Sequence, residues 1–255
     1  MRNGQSPTAV STRLEIDTGM GRLGFPAGGL SALMEELATG QYDRAVASVF
    51  THLAASESPE HDAFTREQLR AYDDAYAQIA AVLPQPPSQH VLNTNGITRF
   101  PEASYDFVRL GIGLYGIGDA GQPGLRPVLR LTTRITAITQ RPAGATVGYG
   151  RRGKLAQDGK VGVLAIGYAD GLPRLAGNGN FAVLINGVPA PIIGTVCMDM
   201  TMVDLTGVEK VRVGDEAVVF GPEHPIEGLA QAAQTIPYEI LTGIGNRVHR
   251  VYSQE

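Results

Sequence analysis

The sequence predicts an α/β unit followed by a mostly β domain. Three observations predict it. Over the first half, apolar strand-like runs alternate with segments of helical periodicity, the pattern of parallel βα units. From Gln122 onward, short β-rich runs are separated by turn signals. Between the halves, Asp119–Pro127 is crowded with Gly and Pro. The division is placed at residues 1–121 and 122–255.

Each element has a local reason. Arg13–Asp17 is a short strand ending in the turn-prone Gly19-Met20-Gly21. Leu30, Leu33, Met34 and Leu37 repeat at helical spacing. Ala45–Leu53 is an apolar, β-branched run and is expected to be a buried strand. Thr65 and Gln68 have the spacing of a capping box. Leu69, Tyr72, Tyr76, Ile79 and Leu83 then form one helix face, and Pro84, Pro86 and Pro87 end it. His90–Asn93 and Phe107–Tyr115 are expected to be two more strands.

In the second half the expected strands are Val128–Gln140, Val161–Ile166, Phe181–Ile185, Pro191–Val196, Met202–Leu205 and Glu216–Phe220. Asn178-Gly179 and Asn186-Gly187 are turn signals. Ile226–Ile244 returns to helical spacing and stops at Gly245-Asn246. The first half holds about four βα units, whereas a closed (β/α)8 barrel takes about 250 residues. Half a barrel leaves strand edges unpaired. The remaining half is therefore expected on another polypeptide, or the chain is a truncated product.

The bulk numbers narrow the function classes. Of 255 residues, 43% are hydrophobic and 18% charged, the ordinary globular range. A net charge of -4 gives no general attraction to nucleic acid or anionic membrane. No apolar run approaches the roughly 20 residues of a membrane span. The single cysteine, Cys197, excludes an internal disulfide, and nothing basic near it in sequence activates its thiol. The N-terminus lacks the apolar core of a secretory signal, so a cytoplasmic location is expected. His and Cys show no metal-ligand spacing.

Seven segments carry the functional information: LEIDTGMGRLGF (Leu14–Phe25), FTHLAASE (Phe50–Glu57), LNTNGITRFPEA (Leu92–Ala103), VRLGIGLYG (Val108–Gly116), AIGYADGLPR (Ala165–Arg174), IIGTVCMDM (Ile192–Met200) and PYEILTGIGNRVHRVY (Pro237–Tyr252). In order and spacing, from Arg13 to Tyr252, the chain resembles the alanine racemases. The resemblance implies a partial pyridoxal phosphate (PLP)-binding (β/α)8 TIM-type barrel followed by a mostly β C-terminal domain. It also implies interconversion of L- and D-alanine, the latter for bacterial peptidoglycan, and a head-to-tail homodimer in which each site is completed by the partner's β domain. Racemisation with this cofactor requires acid/base groups on opposite faces of Cα.

Residue roles follow from the resemblance. Tyr168, in GYADG, matches the tyrosine base; read by itself it is a strand-end tyrosine packing on the core. Arg22, between glycines, matches the arginine that meets the substrate carboxylate, a task suited to a guanidinium fork. Glu15 stands where the family often has a carbamylated lysine, and keeps an anion beside Arg22. Arg109 matches the arginine facing the pyridine nitrogen; its alternative is an ion pair with Asp106. His52 matches a histidine that supports Arg109. Thr94, Gly111, Ile112 and Tyr238 match the phosphate-binding set, and Met198 matches a loop whose backbone helps hold the substrate carboxylate.

One departure matters. The chain has three lysines, all in the β domain: Lys154 and Lys160 flank one polar turn and Lys210 sits in another. The family's PLP lysine lies in a segment that would precede Met1. By itself the chain is expected to lack the cofactor anchor and one base. The competing expectations are a non-catalytic remnant or dimerisation partner, and a racemase of broader specificity.

Overall fold

The computed structural model describes residues 11–39, 46–118 and 124–253. The chain divides into two compact units. The first reaches Leu114, and the second comprises Tyr115–Ile117 together with Arg126 onward. The expected boundary at residues 121 and 122, and Ala45 of the expected second strand, lie outside the described residues.

In the first unit the parallel sheet has the order β2-β1-β3-β4. Its strands are β1 (Thr12–Asp17), β2 (Phe25–Pro26), β3 (Val46–Phe50) and β4 (Ser88–His90). Helix α1 (Ser31–Ala38) precedes β3, α2 (Asp62–Val82) precedes β4, and α3 (Thr94–Arg99) follows it. Burial explains the sheet–helix pairing. Ile16 and Val49 of the strands and Tyr72 and Ile79 of α2 are fully buried in one core, with Leu33 and Leu37 of α1. Tyr72 keeps its hydroxyl satisfied by donating to the Val49 carbonyl at 2.9 Å.

Three sequence expectations fail here. Helix α2 starts at Asp62 after a 3-10 turn (Pro59–His61), so Thr65 and Gln68 lie inside it. They form no capping box: both are buried, and Gln68 bonds to loops beyond the strand ends. Asn93 is not in a strand. It caps α3, accepting the Gly96 N–H at 2.9 Å, a role Asn fills well. Phe107–Tyr115 is not a strand either. It begins beside β4, with Phe107 and Arg109 N–H bonded to the Gln89 and Leu92 carbonyls. The N–H groups of Gly111 and Gly113 then turn to the Thr94 hydroxyl, and Ile112–Tyr115 forms a 3-10 turn.

The second unit is built on a six-stranded antiparallel sheet, in the order β10-β9-β12-β5-β8-β11. Its strands are β5 (Leu131–Arg141), β8 (Gly159–Leu164), β9 (Ala182–Ile185), β10 (Val188–Pro191), β11 (Thr201–Asp204) and β12 (Glu216–Phe220). A small hairpin pairs β6 (Thr146–Val147) with β7 (Gly153–Lys154). Asn186 and Gly187, with φ of 52° and 76°, turn the chain between β9 and β10, as a type I′ hairpin requires. The expected strand Pro191–Val196 reduces to the end of β10 and one bridge from Ile192 to Val203, because Gly194 at φ 75° bends the chain away. The C-terminal helical stretch is two helices, α4 (Ile226–Ala232) and α5 (Pro237–Gly243), parted by Gln234 at φ 57°. Among the described residues, no helix is long and apolar enough to cross a membrane.

Candidate active site

In the first unit the candidate residues gather just beyond the C-terminal ends of the parallel strands, where βα loops carry function in this architecture. The Arg22 loop is shaped by Asp17. Its carboxylate accepts the N–H of Gly19 at 2.9 Å and of Gly21 at 3.1 Å, and those bonds, Gly19 first, hold it below the usual carboxylate range. Arg22 is half exposed and stands 3.9 Å from the Glu15 carboxylate.

Arg109 is the hub. Its Nη1 donates to the His90 carbonyl at 2.8 Å and lies 2.7 Å from His90 Nδ1. Its Nη2 donates to the Thr51 carbonyl at 2.7 Å and the Val91 carbonyl at 3.2 Å. The Phe50 ring lies 5.1 Å below the guanidinium. Asp106, the alternative partner, instead accepts the Gln89 N–H at 2.7 Å. The expected supporter, His52, is 3.4 Å from Nη2, so His90 is the closer histidine.

His90 is fixed in one state. An arginine only donates, so His90 Nδ1 must accept and Nε2–H donates to Ser48 Oγ at 3.1 Å. The ring is stacked by Phe50 and Phe107 at 5.0 and 4.3 Å. Burial first, then Arg109, pushes its pKa down to about 4. Burial likewise lowers His52. Sequence reading missed His90 because a histidine ending a strand carries no signal of its partner 19 residues on.

A depressed histidine makes stability depend on pH. Between about 6.5 and 4 the unfolded chain binds a proton that folded His90 refuses, so stability rises with pH across that window. The contribution is complete above 6.5 and is lost as pH falls to 4, on the order of 3 kcal/mol. Urea unfolding against pH is expected to lose this slope in His90→Gln; an unchanged slope would show that His90 titrates normally.

Thr94 begins α3 and is buried. Its Oγ1 accepts the N–H of Gly111 at 3.0 Å and of Gly113 at 3.2 Å. Thr94 therefore holds the Gly111–Gly113 turn, which contains Ile112.

In the second unit, GYADG and CMDM are laced together. Tyr168 N–H donates to the Cys197 carbonyl and Ala169 N–H to the Met198 carbonyl, both at 3.0 Å. Asp170 accepts the Gly167 N–H at 3.0 Å. Arg247 reaches Asp170 at 3.4 Å and Asp199 at 2.7 Å, adding the GNR segment. Tyr168 sits in a 3-10 turn and is 46% exposed, so it is not a core-packing tyrosine. Met198 and Tyr238 are likewise exposed, Tyr238 on the first turn of α5. A Cβ on Gly167 would fall inside the contact distance of the Met198 and Cys197 carbonyl oxygens. Gly167→Ala is therefore expected to part the two loops and destabilise the unit by about 1–3 kcal/mol. Thermal unfolding with amide exchange at Tyr168 checks this; an unchanged exchange rate would contradict it.

These segments recur together elsewhere. The N-terminal domain of alanine racemase matches residues 3–119 and its C-terminal domain residues 128–252. The alanine racemase of Aeromonas hydrophila is 39% identical over 251 residues, covering 96% of this chain and 68% of the relative.

The chain belongs to the alanine racemase family.

Solved alanine racemases agree in fold. That of Streptomyces lavendulae superposes with a TM-score of 0.90 at 33% identity, covering 97% of this chain and 67% of its own. That of Bartonella henselae, solved with covalently bound pyridoxal phosphate, gives 0.85 at 31% identity, covering 94% and 66%. The chain thus spans about two thirds of the length of these racemases. The family resemblance and the barrel-plus-β architecture expected from the seven segments are both borne out.

Proposed function

We propose that this chain provides most of the active site of an alanine racemase, holding PLP on its first unit and presenting Tyr168 from its second. The observation that carries this is the state of Arg109. Both Nη groups are engaged by carbonyls and His90, and among the described residues no hydrogen bond involves its Nε. A fixed cation with one N–H to spare suits a pyridine nitrogen and disfavours its protonation. The phosphate end fits too. Both acceptor positions of the Thr94 hydroxyl are taken by N–H groups, which leaves its own proton to donate to a phosphate oxygen. The resemblance also assigns Gly111, Ile112 and Tyr238 to the phosphate; the Gly111 N–H is already bonded to Thr94 here, so the Ile112 N–H and the Tyr238 phenol are the remaining donors we assign.

When bound, PLP delocalises the charge that develops as Cα of the amino acid loses its proton. The protein residues do the rest. Arg22, oriented by Glu15, and the Met198 backbone hold the substrate carboxylate. Tyr168 Oη gives and takes the proton on one face of Cα. From the family resemblance we assign a head-to-tail homodimer in the cytoplasm, with alanine as substrate. The resemblance assigns the base on the other face to the PLP lysine; Lys154, Lys160 and Lys210 fall in none of the seven matching segments, so we assign none of them that role.

PLP is accordingly expected to bind the 255-residue chain saturably and reversibly. Borohydride reduction should leave no pyridoxyl adduct on any side chain before Lys154, and Thr94→Val should weaken binding. Equilibrium dialysis with mass spectrometry tests this. Absence of saturable binding, or binding indifferent to Thr94→Val, would sink the assignment.

A further inference from the structure

Gln68, whose spacing from Thr65 suggested a helix cap, lies inside α2 with only 1% of its surface exposed. A buried amide is costly unless its groups are paired. Its pairs span two separate loops. Oε1 accepts the Ala54 N–H at 3.0 Å, while Nε2 donates to the His52 carbonyl at 3.2 Å and to Thr18 Oγ1 at 3.3 Å. Thr18 also meets Thr51 Oγ1 at 2.8 Å. Thr18 opens the loop that Asp17 shapes and that ends in Arg22; Thr51 and His52 are the stretch that meets Arg109 Nη2. Nearby on α2, the Phe64 ring fits against Gly19 so closely that a Cβ there would lie 2.9 Å from it.

We infer that Gln68 is a positioning residue: through Thr18 and His52 it sets the Arg22 loop against the Arg109 hub. Its value for catalysis rests on the function proposed above, but its geometric claim does not. The helix supplies one side chain that reads both loops, so neither can shift without breaking a buried hydrogen bond.

The test uses the full 255-residue chain without cofactor, with amide exchange followed by NMR. Gln68→Met keeps length and apolar packing and removes all three bonds. Thr18→Val keeps the branched shape, leaves α2 untouched and removes the loop hydroxyl, with its bonds to Gln68 and to Thr51. Gln68→Met is expected to speed exchange roughly two- to tenfold at Ala54, and at Gly19 and Gly21 as well. It should also shift the Arg109 Nε resonance. Thr18→Val should reproduce the change at Gly19 and Gly21 and spare Ala54, and the double variant should add little at the glycines. Unchanged Gly19, Gly21 and Arg109 signals in Gln68→Met would overturn the inference; if that variant fails to fold, unchanged glycines in Thr18→Val overturn it alone. PLP titration of the unsubstituted chain, run in parallel, reports separately on the proposed function.

Discussion

Tyr168→Phe is expected to lower racemisation roughly 100- to 10,000-fold in a chain completed with a lysine-bearing barrel segment. The phenol sits on the turn stitched to the Cys197 and Met198 carbonyls by backbone bonds, not by its hydroxyl. Phe therefore keeps the turn and removes only the acid/base group. Bound PLP should survive, because Thr94, Gly111, Ile112, Arg109 and Tyr238 are untouched. Exchange of the Cα hydrogen for deuterium should persist from the enantiomer that faces the lysine and collapse from the other. Measuring exchange from each enantiomer, together with racemisation in both directions, separates the two faces. Activity within about threefold of the unsubstituted enzyme would make Tyr168 a bystander.

Arg109→Leu is expected to be the most damaging single change in the first unit. The guanidinium serves the carbonyls of His90, Thr51 and Val91, residues that are themselves fully buried or nearly so. Each buried carbonyl left unpaired costs about 1–3 kcal/mol. Leucine restores none of the bonds, so a loss of at least about 3 kcal/mol is expected, a large part of a typical 5–15 kcal/mol stability. Urea unfolding of the first unit measures it, and PLP affinity should fall with it. A loss under about 1 kcal/mol with affinity intact would mean the hub is dispensable. Arg109→Lys should recover little, since an ammonium cannot span three carbonyls and His90 from one planar fork.

Much of the fold was legible in the sequence because its signals are local. Val49 and Ile16 mark buried strands by composition. Leu69, Tyr72 and Ile79 mark a helix face by spacing, and Asn186-Gly187 marks a hairpin by the left-handed backbone it tolerates. The failures are where a distant partner decides. Phe107–Tyr115 has the composition of a strand, yet the Thr94 hydroxyl, 17 residues before Gly111, bends it into a turn. Gln68 fits a capping pattern, yet its partners lie 14 to 50 residues away. His90 is the nearer support of Arg109, but only the pairing of β3 with β4 brings Ser48, Phe50 and His90 together. The candidate residues themselves were found through ordered motifs. Two of their contacts, Glu15 beside Arg22 and His52 beside Arg109, followed from the resemblance, whereas those of Arg109 with His90 and of Thr94 with Gly111 did not.

The most direct test compares the 255-residue chain by itself with the same chain preceded by the residues that lie ahead of the matched stretch in the Aeromonas hydrophila racemase, both supplied with PLP. Formation of D-alanine from L-alanine is measured, with serine and lysine as alternative substrates. No racemisation above background is expected for the chain alone, and turnover of alanine in the range of about 1–1,000 per second for the joined protein. Turnover by the chain alone would show that no external lysine is needed. A folded, PLP-loaded joined protein that leaves alanine unchanged would contradict the assignment of Arg22, Arg109 and Tyr168 to a racemase site.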